Sequence, residues 1–180
     1  MSEPTHESMN QKFERWAETE RRNRKLAVEL VLKIMKQHNI KCVACTYCGE
    51  GDDGQMEDFY VLTEPIEPEA IYNLEGKVDA AGEKLLSETA PDPELCKIDL
   101  FTRWCSPPAS LQELIEFMAS YVTPEGYENG NGGQGTIVFD AVNNLAAMEH
   151  GTNHIEVDYT TEEIDLEEDE DADAESSSSL

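Results

Sequence analysis

Basic residues are scarce beyond position 41: four of them stand against 33 acidic ones, so that part of the chain carries a formal charge of -29. Residues 1 to 41 are the reverse, with nine basic and six acidic residues, and the whole chain of 180 residues comes to -26. Such a field repels phosphate backbones and anionic membranes, which weighs against direct nucleic-acid binding except through the basic N-terminal stretch. It suits a basic protein partner, a cation, or solubility alone. Long apolar runs are also missing: no window approaches the roughly 18 residues that a membrane span needs. The polar start Met1-Ser2-Glu3-Pro4 lacks a signal-peptide h-region, so no membrane contact and a cytoplasmic location are expected. Five cysteines, an odd count without a secretion signal, argue for reduced thiols over a disulfide framework.

Proline and glycine are absent from Gln11 to His38, and Glu18/Arg22 and Glu20/Arg24 stand at i, i+4, which predicts one long helix. Leu26, Ala27, Leu30, Val31 and Ile34 line one face, with Val28, Leu32 and Met35 beside it. That arc is wider than one sheet face needs, and the excess suits either loop cover or a homo-oligomer formed through this helix. Asn39 is a good residue to end it.

Ile40–Cys48 and Gln55–Leu62 read as two strands joined by Gly49-Glu50-Gly51-Asp52-Asp53-Gly54, with Asp53-Gly54 as the expected type I′ hairpin turn. Residues 63 to 95 read as an irregular insertion punctuated by Pro65, Pro68, Pro91 and Pro93, with a short helix between Gly76 and Glu88. A strand is expected over Cys96 to Trp104. The capping box Ser110-Leu111-Gln112-Glu113 then opens a helix with Leu111, Leu114, Ile115, Met118 and Val122 at helical spacing. After the glycine-rich loop 126–135, Thr136–Asp140 and Leu145–His150 form a hairpin across Ala141-Val142-Asn143-Asn144, and Ile155–Tyr159 adds a further strand. Residues 156 to 175 hold twelve acids and no base, before a serine run. Such a segment cannot repay its ordering entropy by burial.

The expected organisation is therefore a disordered segment 1–10, one α+β domain over 11–159 and a disordered acidic tail over 160–180. The domain is two-layered: a mainly antiparallel sheet with the long N-terminal helix and the second helix on one face.

Cys42, Cys45 and Cys48 have CxxC spacing, but within a strand positions i and i+3 point to opposite faces, and Cys96 and Cys105 supply no matching knuckle. Buried thiols are expected and no metal site. The acidic turn lacks the EF-hand order of ligands, and no Lys-Ser or Lys-Thr follows its glycines to bind phosphate. No nucleophile elbow supports covalent catalysis, so no catalytic residue and no cofactor are assigned. His150 and His154, with a carboxylate from the turn, offer a general acid/base pair; ordinary surface histidines are the competing reading.

Taken together, Gly49-Glu-Gly-Asp-Asp-Gly-Gln-Met-Glu57, Gly126-Tyr-Glu-Asn129, Gly132-Gly-Gln-Gly135, Phe139-Asp140 and Met148-Glu-His150 resemble a bacterial family known as domain of unknown function 6878, over roughly residues 20 to 155. Asp53 stands where that family has serine, Tyr127 where it has tryptophan, and no arginine follows His150. The resemblance carries no activity. It implies that both glycine loops and His150 belong to one surface, and that the cysteines lie outside the pattern.

The functional surface expected from these readings comprises Asp52, Asp53, Gln55, Glu57, Tyr127, Glu128, Asn129, Gln134, Glu149 and His150. The expected function is an acidic interaction protein that binds a basic protein partner, with nucleic-acid mimicry as a variant. The alternative is a small cation-dependent hydrolase using Asp52, Glu57 and His150.

Overall fold

The computed structural model describes residues 8–95, 107–124 and 126–154. Helix α1, Met9–Gln37, starts two residues before the expected Gln11, because Ser8 and Gln11 form a capping box: the serine hydroxyl accepts from the Gln11 amide and the Gln11 side chain takes the Ser8 amide. It ends where expected, with Asn39 in the left-handed region at φ 57°. Its buried residues, Ala27, Leu30, Val31, Leu32, Ile34 and Met35, all lie in the second half.

Strands β1 (Cys42–Glu50), β2 (Asp53–Leu62), β3 (Gly133–Asp140) and β4 (Leu145–Thr152) form one antiparallel sheet in the order β2-β1-β3-β4. β1 is one of the two inner strands, hydrogen-bonded on both edges, and its side chains are buried on both faces. Val43, Cys45 and Tyr47 enter the large core beneath the helices, and Cys42 and Ala44 enter a smaller cluster with Leu62, Ile71 and Val138 on the far face. The alternation expected for the cysteines therefore holds at Cys42 and Cys45.

A bulge sets which residues of β2 reach the core. Between Cys45 and Tyr47 the register shifts: Tyr47 pairs with Met56, but Cys45 pairs with Phe59. The extra residue returns Phe59 and Val61 to the helix face; an unbroken ladder would have turned them away. Thr46 fixes the irregularity, its Oγ1 accepting from the Asp58 amide at 3.0 Å.

The hairpin turn is not at Asp53-Gly54. Glu50 pairs with Asp53 and Gly49 with Gly54, and the positive φ angles belong to Gly51 (62°) and Asp52 (71°). Those two residues are the centre of the tight turn, the second an aspartate, which visits this region more readily than most side chains.

The stretch 63–95 is less irregular than expected. A short 3₁₀ helix, Pro68–Tyr72, puts Ile71 into the far-face cluster, and α2, Ala80–Glu88, capped by Asp79, puts Leu86 into the helix-side core. Helix α3, Leu111–Ser120, starts at the predicted Ser110, whose Oγ accepts from the Glu113 amide at 3.2 Å, but the Glu113 carboxylate reaches one residue past the box, to the Ala109 amide at 2.7 Å. The architecture is α+β, as expected. The strands expected at 96–104 and 155–159, and the acidic tail, lie outside the described residues.

The β3–β4 hairpin turns across 141–144 as expected, with Asn144 at φ 57°. Its anchor is Asp140, 5% exposed, whose carboxylate accepts from the amides of Val142 (2.8 Å) and Asn143 (2.9 Å) and from the Asn143 side chain (2.6 Å). Three donors satisfy a carboxylate that burial would otherwise make costly.

Phe139 is fully buried at the centre of the helix-side core. Phe139→Ala is expected to cost about 3–5 kcal/mol, read as a lower urea midpoint at unchanged slope. Val142→Ala, at an exposed hairpin position, is expected to stay within about 0.5 kcal/mol of the parent.

Candidate functional site

Both glycine-rich stretches lie at one end of the sheet. Gly54, Gly49 and Gly133 pair across three strands in a single row, leaving a strip of bare backbone. The loop 126–132 closes onto that strip. It accepts from the hairpin turn at two points, the Gly51 amide to Gly130 O (3.2 Å) and the Asp52 amide to Glu128 O (2.9 Å), and Asn153 ties β4 to it through the carbonyls of Gly132 and Asn131.

Tyr127 shows why this row lacks side chains. A β-carbon on Gly54 would stand 2.5 Å from its hydroxyl oxygen, and one on Gly49 would stand 3.0 Å from its ring and 2.7 Å from the Glu128 Cα. A β-carbon on Gly133 would likewise meet the His150 ring at 2.6 Å. Tyr47 lies between the two rings, edge-on to Tyr127 at 5.1 Å between centroids and near-parallel to His150 at 6.0 Å. Its hydroxyl is 2.9 Å from His150 Nδ1. Burial, with a smaller contribution from Tyr127, pushes the Tyr47 phenol up to about 12.

His150 is therefore half-buried and engaged with Tyr47 on the helix side of the sheet. Glu57 belongs to the opposite face, where it accepts from the Cys48 thiol at 3.0 Å. Asp52 is in the turn. The three residues of the hydrolase alternative do not meet. Among the described residues no three histidine, cysteine, aspartate or glutamate side chains gather in a way that could hold a metal ion.

Seven of the ten expected surface residues divide between two clefts, and Asn129, Glu149 and His150 line neither. The first, about 630 Å³, takes Asp52, Asp53, Tyr127 and Glu128, and adds Glu20 and Arg24 of α1 and Phe117 and Tyr121 of α3. The second, about 580 Å³, takes Asp53, Gln55, Glu57 and Gln134 together with Cys48 and Asn153. Gln55, Cys48 and Gln134 are cross-strand neighbours there, whereas the exposed Asn129 turns its amide toward Gly126 and Glu149 is exposed on β4. One end of the sheet thus carries two surfaces on opposite faces, so the expected single surface is divided. The exposed His154 is not part of either.

The two clefts differ in chemistry. In the second, the Glu57 hydrogen bond, followed by burial, raises the Cys48 thiol above its ordinary value, so the thiolate a nucleophile needs is disfavoured. Cys48 is only half-buried, a departure from the expected buried thiols, whereas burial raises Cys42 to about 11 and raises Cys45 further. The first cleft combines carboxylates with aromatic rings. Phe117 and Tyr121 meet edge-on at 5.4 Å, Tyr127 lines the same cleft, and the guanidinium of Arg24 donates to the carbonyls of Tyr121 (3.4 Å) and Thr123 (3.2 Å). Phe117 and Tyr121 were legible in the sequence as an i, i+4 aromatic pair off the core stripe of α3. Glu20 and Arg24 stood out only as an i, i+4 pair of the long helix, with no sign of a cleft.

No family model, no curated protein and no solved structure matches this chain.

Two measurements follow from the aromatic stack. Gly54→Ala is expected to cost about 1–3 kcal/mol by overpacking, and markedly less in a Tyr127→Ala background; equal costs in both backgrounds would mean that the ring is not what the glycine accommodates. The Tyr47 phenol holds its proton more tightly folded than unfolded. The stability this contributes is complete below pH 10 and is lost as pH rises through about 12. Ultraviolet titration should show the same number of phenols ionising near pH 10 in the folded parent and the folded Tyr47→Phe variant, and one phenol more in the parent once both are unfolded.

Proposed function

We propose that the protein is an acidic interaction module that holds a basic segment of a partner protein in the first cleft. The observation that supports this is the pairing of two chemistries there. Asp52, Asp53, Glu128 and Glu20 supply negative charge, while Tyr127, Phe117 and Tyr121 supply ring faces and edges around the same space. A lysine or arginine side chain uses both. Its charge is met by the carboxylates, and a cation over a ring gains about 0.5–1 kcal/mol even at an exposed site. Exposed ion pairs contribute roughly 0–1 kcal/mol each, so useful affinity requires several basic residues in one segment. The acidic balance of the chain then speeds encounter with such a partner and discourages anionic ones.

Mimicry of nucleic acid is one form of this reading, in which the partner's basic surface is a nucleic-acid site. It is supported by the charge of the chain rather than by a spacing of carboxylates. The resemblance to domain of unknown function 6878 adds no activity to this reading.

Anisotropy of a labelled oligo-lysine peptide tests the reading. Saturable binding that weakens with salt is expected, and Asp52→Asn/Asp53→Asn should weaken it about tenfold, the equivalent of about 1.4 kcal/mol. Binding by the double variant equal to that of the parent would remove the cleft from the function. Displacement of the protein from a basic partner by duplex DNA would favour the mimic form.

A further inference from the structure

Helix α1 has two unlike halves. From Ala27 onward it is bound to the sheet; from Met9 to Leu26 it buries no side chain. Glu20 and Arg24 lie at the rim of the first cleft, so the turns before them, Met9 to Thr19, pass beyond the sheet end for about 16 Å at 1.5 Å per residue.

That extension is not a solvated polar rod. Met9 is 81% exposed, Phe13 66% and Trp16 40%, and the last two rings touch at 5.5 Å between centroids. With about 3.6 residues per turn, eighteen residues make about five turns. Met9, Phe13 and Trp16 therefore stand at the azimuths of the buried Ala27, Val31 and Ile34. The apolar stripe that packs α1 onto the sheet resumes in the extension beyond Glu20 and Asn23, and Met9 and Phe13 stay mostly exposed there. Single exposed apolar residues need no explanation, but three in register with a core seam form an interaction face.

We infer that this face pairs with a second copy of the chain, the two α1 extensions running antiparallel about a two-fold axis near Trp16. The inference rests on the cleft reading above and names the partner segment. Charge selects the occupant: α1 from Met9 to Leu26 has six basic residues against three acidic, while the chain beyond position 41 is at -29. The surface most complementary to the extension is thus the acidic sheet end of the same protein, which its own helix runs past and cannot fold back to. In an antiparallel pair centred on Trp16, position 12 of one copy stands level with position 20 of the other. Lys12 then arrives at Glu20, on the rim that Asp52, Asp53 and Glu128 share. A two-fold pairing satisfies both clefts at once and closes the assembly.

The area sets the strength. Aromatic side chains offer roughly 150–250 Å² each, so at their observed exposures the three residues provide on the order of 400 Å² per copy. Two copies reach the lower range of transient interfaces, and the dimer is therefore reversible and concentration-dependent.

Sedimentation equilibrium of the full chain, over about a hundredfold range of concentration in the transient regime, is the test. The average mass should climb from one chain toward two. Phe13→Glu/Trp16→Glu changes only exposed positions, so helix content and oligo-lysine binding should persist while association falls at least tenfold. Asp52→Lys/Asp53→Lys should weaken association, and adding Lys12→Glu should restore part of it. A parent that stays monomeric throughout while still binding oligo-lysine through Asp52 and Asp53 overturns the dimer and leaves the cleft reading standing. Association that survives Phe13→Glu/Trp16→Glu also overturns it. Association insensitive to Asp52 and Asp53, with no peptide binding, overturns the cleft reading itself.

Discussion

The sheet end depends on one steric constraint: the row Gly54–Gly49–Gly133 must stay free of side chains. Because it does, the loop 126–132 approaches the strands closely enough for its carbonyls to take the amides of Gly51 and Asp52, and the Tyr127 ring rests on β1 and β2. A β-carbon on Gly132 would overlap the Gly49 carbonyl, so the contact is backbone against backbone. The first cleft is a consequence. Its floor is this seated loop, and its walls are the middle of α1, at Glu20 and Arg24, and the C-terminal end of α3.

Local signals in the sequence were reliable where one residue does one job. Ser110 and Glu113 begin a helix, Asn39 ends one, and Ala141 to Asn144 turn a hairpin, because each answers to chemistry within a few residues of itself. The first hairpin shows how such signals mislead. Asp53-Gly54 is a good turn pair, but so is Gly51-Asp52, and the chain turns at the latter while Gly54 lies in β2 beneath a ring 73 positions later in the chain. The glycine that looked permissive for its backbone angle is required for its missing side chain.

The bulge opposite Thr46 was equally hidden, since nothing in Gln55 to Leu62 announces where an extra residue falls. Its effect falls on Phe59 and Val61, while the candidate surface lies on the hairpin side of it and is divided by plain strand alternation. Strand parity decides which face each side chain joins, so residues grouped by sequence proximity separated onto two faces: Tyr127 and His150 on one, Gln55, Glu57 and Gln134 on the other. Both loops were readable as one end of the sheet. That this end has two sides is a property of pairing, and pairing is long-range.

The placing of the cysteines on β1 has a practical side. Cys42 and Cys45 are sealed within the core on opposite sides of a central strand, so a reagent reaches either only if the sheet opens. Cys48 alone of these three borders solvent, beside Gln55 and Gln134 in the second cleft. A fluorophore or spin label attached there would watch that face while the aromatic face stays chemically untouched, and slow labelling at the other two sites would clock the opening of the strand.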